Sequence, residues 1–181
     1  MQVKYILVFL VLFFVGNPSS KETMTWNASR KLTWSDFKAN PNPSSGAVAL
    51  TASGITFGYS VKTSGKRIVD FSASVEAHFY PNKSWYIKER ANTYILKHEQ
   101  LHFDITELYV RKFRQQLDGL VVNQNIKIQM NQIHKAINDA LDNTQRTYDE
   151  QSNHSINLEA QKYWEAYITE ELLKLEKYKS E

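Results

Sequence analysis

Two of the five histidines in this 181-residue chain bracket a glutamate in the order His98-Glu99-Gln100-Leu101-His102. On a helix of 3.6 residues per turn, His102 lies one turn beyond His98 and about 40° round from it, so both imidazoles can reach one zinc ion. Glu99 lies about 100° from His98 and about 60° from His102 on the same count. That puts its carboxylate beside the metal, placed to take a proton from a zinc-activated water and to return it later. The chain has no cysteine, which excludes thiolate metal sites and a cysteine nucleophile and leaves His, Asp and Glu as the available ligand types.

A two-histidine site needs a third protein ligand. The extended H-E-x-x-H-x-x-G-x-x-H pattern, which carries its own third histidine, is absent, because Ile105 and Leu108 stand at the Gly and His positions. Asp104 and Glu107 project about 120° and 180° away from His98, and no Gly or Pro interrupts the helix before Gly119. The third ligand must therefore come from elsewhere in the chain. His134 reads as a flank residue of a later amphipathic helix. His78 falls on the strand face opposite Val75, Ala77 and Phe79. His154 lies in the polar junction Tyr148-Asp149-Glu150-Gln151-Ser152-Asn153-His154-Ser155, where a ligand can be presented without breaking a helix pattern. It is the expected third ligand, with Asp149 and Glu150 of the same junction as open alternatives. Tyr148 is a candidate to donate its phenol to a developing oxyanion, against the competing role of packing its ring in the core.

The surrounding pattern predicts the elements that position these residues. Ile55, Phe57, Tyr59 and Val61 alternate with polar residues, a Thr63-Ser64-Gly65-Lys66 turn follows, and Val69 to Phe79 alternate again up to Pro81. This is a hairpin of long strands with one buried face. From Ser84 onward the period is helical, with breaks near Gly119–Asn125 and Asp149–Ser155, so three helices are expected. Tyr94, Ile95, Leu101, Ile105, Leu108 and Tyr109 all project within about 80° of His98, which places the histidine pair on the core-facing stripe of the first helix.

At the other end, Lys4 precedes the apolar run Tyr5–Val15 and the small, turn-forming stretch Gly16–Ser20. Residues 1–20 read as a secretory signal peptide followed by a single domain over residues 21–181. Eleven apolar residues fall short of the ~20 that a membrane-spanning helix requires. A net charge of +3 from 22 basic and 19 acidic residues is too balanced for a nucleic-acid footprint. The expected location is the periplasm or the exterior, with a peptide or protein as partner and no stable membrane insertion.

Leu32-Thr33-Trp34-Ser35-Asp36-Phe37, the two-stranded middle, the Lys97–Ile105 segment around the paired histidines, and Tyr148-Asp149 with His154, Gln161 and Trp164 together resemble bacterial domain of unknown function 922. The resemblance spans nearly the whole exported chain, and the family is usually described as secreted zinc-dependent proteases. In it the late segment looks like Y-D-x-x-T-x-H-G; here Ser152 stands where Thr is usual and Ser155 where Gly is usual. The resemblance implies an α+β fold of zincin-like type, a small antiparallel sheet or hairpin packed on an active-site helix with two further helices. It also implies Zn2+ as cofactor, and a sheet edge, Asp70–Tyr80 or Ile55–Lys62, that pairs with an extended substrate. The expected activity is peptide-bond hydrolysis, with His98, His102 and His154 on zinc and Glu99 as general base and acid. Two other readings stay open. One is a non-catalytic zinc-binding envelope protein, for which a fourth protein ligand would speak. The other is a zinc amidase acting on a non-protein substrate.

Overall fold

The computed structural model describes residues 22–180; the expected signal peptide lies outside the described residues. The chain is α+β. Two long strands, β3 (Ser53–Ser64) and β4 (Arg67–Phe79), form an antiparallel hairpin turned at Gly65, whose φ of 62° is the left-handed geometry such a tight turn needs. The short β1 (Met24–Thr25) pairs with the far end of β4, giving the order β1-β4-β3, while β2 (Ala49–Leu50) and β5 (Trp85–Tyr86) make a separate two-stranded sheet. β3 is an open edge of the larger sheet, and β4 is covered on its second side toward its end, by β1 at Phe79 and His78, by the Trp26 N–H on the Ala77 carbonyl at 3.0 Å and by the Arg114 guanidinium on the Val75 carbonyl at 2.6 and 3.1 Å. Alternation sends Val75, Ala77 and Phe79 into the core, as the period-two reading expects.

Three helices follow: α1 (Thr93–Asp118), α2 (Ile126–Ser152) and α3 (Leu158–Lys174). α1 starts where it does because the Asn92 side chain accepts the free N–H groups of Tyr94 and Ile95, each at 2.9 Å. It is the central element. Hairpin, α2 and α3 all pack against it, so an unbroken run from Phe103 to Arg111 is buried on every side of the helix. Its polar members find partners. Asp104 accepts from the Trp26 indole at 2.6 Å and from Gln100 at 2.8 Å, while the Gln100 oxygen accepts the Leu32 N–H at 2.7 Å. These bonds fasten the N-terminal segment along the turn of α1 that carries the histidine pair.

The break between α1 and α2 falls where the sequence places it. The second break does not: α2 runs through Tyr148 and Asp149 to Ser152, and the junction is only 153–157. Asn153 closes α2 in the left-handed region at φ 47°, with its N–H on the Glu150 carbonyl and the His154 N–H on the Asp149 carbonyl at 2.9 Å. His154 and Ser155 keep positive φ values of 50° and 73°, so three consecutive residues with a Cβ occupy a region that favours glycine.

Candidate metal centre

α1 presents His98 and His102 one turn apart, and the last turns of α2 lie across them. His98 Nε2 stands 3.1 Å from Asp149 Oδ1, His102 Nε2 stands 3.0 Å from the same oxygen, and the two Nε2 atoms are 3.2 Å apart. Among the described residues these three side chains form a group able to hold a metal ion. The cluster is covered on the α1 side and open on the α2 side: the His98 side chain is 5 % exposed and that of Asp149 32 %.

The ligand nitrogen of His102 is chosen by a neighbour. Gln145, one turn before Asp149 on α2, donates its amide N–H to the His102 carbonyl at 2.9 Å, which turns its own oxygen toward His102 Nδ1. Nδ1 therefore carries the proton in the neutral ring, and Nε2 offers its lone pair toward Asp149. Tyr148 supports both rings from beneath, stacked on His98 at 4.5 Å and edge-on to His102 at 5.0 Å. Trp164 of α3 lies behind Tyr148 at 5.5 Å and fixes its own indole on the Gln151 oxygen at 2.9 Å.

Charge follows this geometry. Burial works against a protonated His102, but its hydrogen bond to Asp149 and the nearby Glu99 charge outweigh it and hold its pKa above the ordinary 6.5. Burial likewise works against an ionised Asp149, yet its bonds to His102 and His98 pull it well below the usual carboxylate range. The Tyr148 phenol is pushed far up, first by burial and then by the Glu99 charge. Glu99 itself is only 4 % exposed, and its Oε2 has no hydrogen-bond partner.

Several expectations meet this geometry differently. His98, Glu99 and His102 come together on one stretch of α1, as the spacing requires. At the third position the fold brings Asp149, one of the open alternatives, to the pair, while His154 lies outside the group of three. The reason is the length of α2, which carries Asp149 inward on a helical turn, whereas His154 sits beyond the C-cap with its side chain 72 % exposed and Nδ1 3.8 Å from Asp149 Oδ1. Glu150 is exposed on the other side of the helix. Of the two roles open to Tyr148, the geometry fits packing: it is fully buried, with its hydroxyl 3.5 Å from the His98 carbonyl. His78 pairs with Glu76 at 3.1 Å, and His134 stacks on Phe113, so neither approaches the cluster. Gln145 was missed. Its signal was a polar residue at the i−3 and i−4 positions to Tyr148 and Asp149, on the face that also buries Leu141 and Ser152.

A groove of about 540 Å³ runs between Phe71–Glu76 of β4, the end of α1 and Lys177–Tyr178, and shares no residue with the cluster. In the comparisons with known proteins, the model of a family described as a bacterial protein of unknown function (DUF922) matches residues 25–155. No curated protein and no solved structure matches the chain.

Proposed function

The chain belongs to this bacterial family of unknown function, and from its own site we propose that it is a zinc-dependent peptidase acting outside the cytoplasm. The observation that carries the reading is the triangle of two imidazole nitrogens and one carboxylate oxygen with edges of 3.0, 3.1 and 3.2 Å. Ligands about 2.0–2.1 Å from a tetrahedral zinc stand roughly 3.3–3.4 Å apart, so little movement separates the described side chains from a three-ligand site with one position left for water. Two imidazoles and a carboxylate are a donor set that zinc accepts.

His98, His102 and Asp149 would hold the ion. Zinc there would lower the pKa of a bound water to about 7 and polarise a carbonyl oxygen. Gln145 keeps the His102 ring in the tautomer and orientation that presents Nε2, and Tyr148 fixes the plane of both rings. Glu99, adjacent in sequence to one ligand and with a free Oε2, accepts the proton of the attacking water and hands it to the amide nitrogen as the C–N bond breaks. A carboxylate beside the ligands but outside the triangle favours hydrolysis over the oxygen chemistry that two histidines and a carboxylate serve on iron. The apolar leader, residues 1–20, is what supports action in the periplasm or outside the cell.

Two measurements on the purified chain test this. Elemental analysis should find one zinc per chain, and Glu99→Gln should keep the zinc while turnover of a peptide library falls by ~10²–10⁴-fold, the usual loss with a general base. Bound iron in place of zinc, or unchanged turnover in the variant, would overturn the reading. Separately, residues 1–25 fused to a reporter should direct its export and be shortened; a full-length cytoplasmic product refutes export.

A further inference from the structure

The outer edge of β4 keeps a short stretch of unpaired backbone between two side-chain plugs. Successive residues of an antiparallel strand turn their N–H and C=O groups toward one neighbour and then the other. The Trp26 N–H on the Ala77 carbonyl and the Arg114 guanidinium on the Val75 carbonyl show that the odd-numbered residues here face away from β3. The register with β3 is unbroken from Ile55↔Ala77 to Lys62↔Asp70, so Ala73 and Phe71 face the same way. Beyond the irregularity at Lys62/Thr63, Gln124 closes the edge, accepting the Ile68 N–H at 3.1 Å and donating to its carbonyl at 3.2 Å. The Phe71 N–H turns to Asp70 Oδ1 at 2.8 Å. Among the described residues this leaves the Phe71 carbonyl, both groups of Ala73 and the Val75 N–H without a partner on that side, along the groove of about 540 Å³.

The pattern of free groups selects a direction. An antiparallel segment uses the N–H and C=O of one residue together, and only Ala73 offers both. A parallel segment takes the carbonyl of one residue and the N–H of the residue two further on. Phe71 O with Ala73 N–H, then Ala73 O with Val75 N–H, are two such pairs, and three residues of a parallel segment fill them. The next bond of that ladder would go to the Val75 carbonyl, where Arg114 already stands with Nη2 at 2.6 Å and Nε at 3.1 Å. The segment therefore ends at Arg114, and in parallel orientation that end is a carboxyl terminus. The charge agrees. Arg114 otherwise donates to the Tyr178 carbonyl at 2.9 Å, and it forms no ion pair with Asp or Glu among the described residues. Its guanidinium keeps further N–H donors for a carboxylate.

We propose that this groove binds the free carboxyl terminus of an extended polypeptide, added to β4 as a parallel strand with its carboxylate on the Val75 N–H and Arg114. The last residue lies level with Ser74 and faces away from the helices. The one before it lies level with the small Ala73 and shares its face, toward Leu117 and Tyr178 of the groove wall, so an apolar side chain fits there. The site shares no residue with the metal cluster and stands independently of the peptidase reading.

The test titrates the nitrogen-15-labelled chain with an acetylated hexapeptide, Gly-Ser-Gly-Ser-Leu-Ser, bearing either a free or an amidated carboxyl end. Binding is read from the backbone amide signals of Ala73 and Val75. The free end should bind roughly 10- to 100-fold more tightly, as expected for a hydrogen bond to a charged group. Arg114→Gln should drive that ratio toward one. Ala73→Pro removes an N–H that bonds nothing within the chain, at a sheet edge where proline is tolerated, and should weaken the free peptide several-fold; it decides if Arg114→Gln does not fold. Equal affinity for the two peptides, unmoved Ala73 and Val75 signals, or full affinity in a folded Ala73→Pro chain overturns the site. An amidated peptide ending in Asp that binds as tightly as the free end also overturns it, since a side chain would then supply the charge. Shifts of the same signals with protein concentration alone would assign the edge to a second copy instead.

Discussion

The two ends of α1 bury polar groups in opposite ways. At its far end Glu107 is fully buried and Arg111 nearly so, and every charge is answered. Arg111 Nε donates to Glu107 at 2.9 Å, its Nη1 reaches the Leu172 carbonyl and Glu176, and the Glu107 oxygens accept the Ser180 N–H at 3.0 Å and its hydroxyl at 2.7 Å. Around the start of the helix, His98 and Glu99 are also deeply buried, yet the Tyr94 hydroxyl, His98 Nδ1 and Glu99 Oε2 have no hydrogen-bond partner among the described residues. One helix thus carries a saturated cluster that ties the C-terminal segment to the core and an unsaturated one beside three side chains able to hold a metal ion. Buried polarity alone does not mark a functional site. Unspent hydrogen-bonding capacity next to convergent ligand atoms does.

If that contrast is real, substitutions at the two ends should differ most in stability. Arg111→Leu leaves the Glu107 carboxylate buried without its countercharge, and the expected loss is about 3–5 kcal/mol in urea denaturation. Tyr94→Phe removes a hydroxyl that bonds nothing, so it should change stability by no more than about 0.5 kcal/mol or raise it slightly. A Tyr94→Phe loss as large as that of Arg111→Leu would erase the distinction.

Smaller effects follow at the metal end itself. Gln145→Leu takes away the acceptor of His102 Nδ1 and frees the ring to turn, which should weaken zinc binding by ~10–100-fold in competition with a chelator. Protons compete for the same nitrogen. Because His102 is held above its ordinary pKa of 6.5, apparent zinc affinity should rise with pH, by up to about tenfold per unit, and level off once His102 is neutral. The metal-free chain should show the reverse sign. Its raised His102 contributes stability that is fully present below the unfolded pKa and is lost as pH rises through the folded one. Thermal midpoints of chelated and zinc-loaded protein between about pH 5.5 and 8.5 should therefore diverge upward with pH. Parallel curves would mean that His102 carries no competing proton.

Much of this was legible in residue spacing. The two-residue alternation of Ile55–Val61 and Val69–Phe79 and the four-residue step from His98 to His102 are local signals, and each maps directly onto an element. The third partner was harder because it depends on where α2 stops. A cluster such as Asp149-Glu150-Gln151-Ser152-Asn153 reads as a break, since its residues compete with helical backbone bonds. Packing of Tyr148 and Ser152 against α1 and α3 overrides that preference and carries the helix past Asp149. Gln145 was invisible as a partner of His102, because that contact arises only where α1 and α2 meet.

The turn that follows α2 offers the smallest test. Ser155 holds a φ of 73° directly after two other left-handed residues. A residue with a Cβ pays about 1–2 kcal/mol for that geometry, and Ser155 forms no side-chain hydrogen bond among the described residues that would offset it. Glycine, the residue usual at this place in the resemblance, removes the strain, though it adds about 0.5–1 kcal/mol of chain entropy to the unfolded state. Ser155→Gly should therefore stabilise the chain by about 0.5–1 kcal/mol, a rise of roughly 1–4 °C in Tm. Zinc affinity discriminates further. The His98–His102–Asp149 triangle closes within α1 and α2, before the turn begins, so the substitution should leave it unchanged. A Ser155→Gly chain that is more stable but binds zinc several-fold more weakly would show that the strained turn, and His154 on it, takes part in the metal site after all.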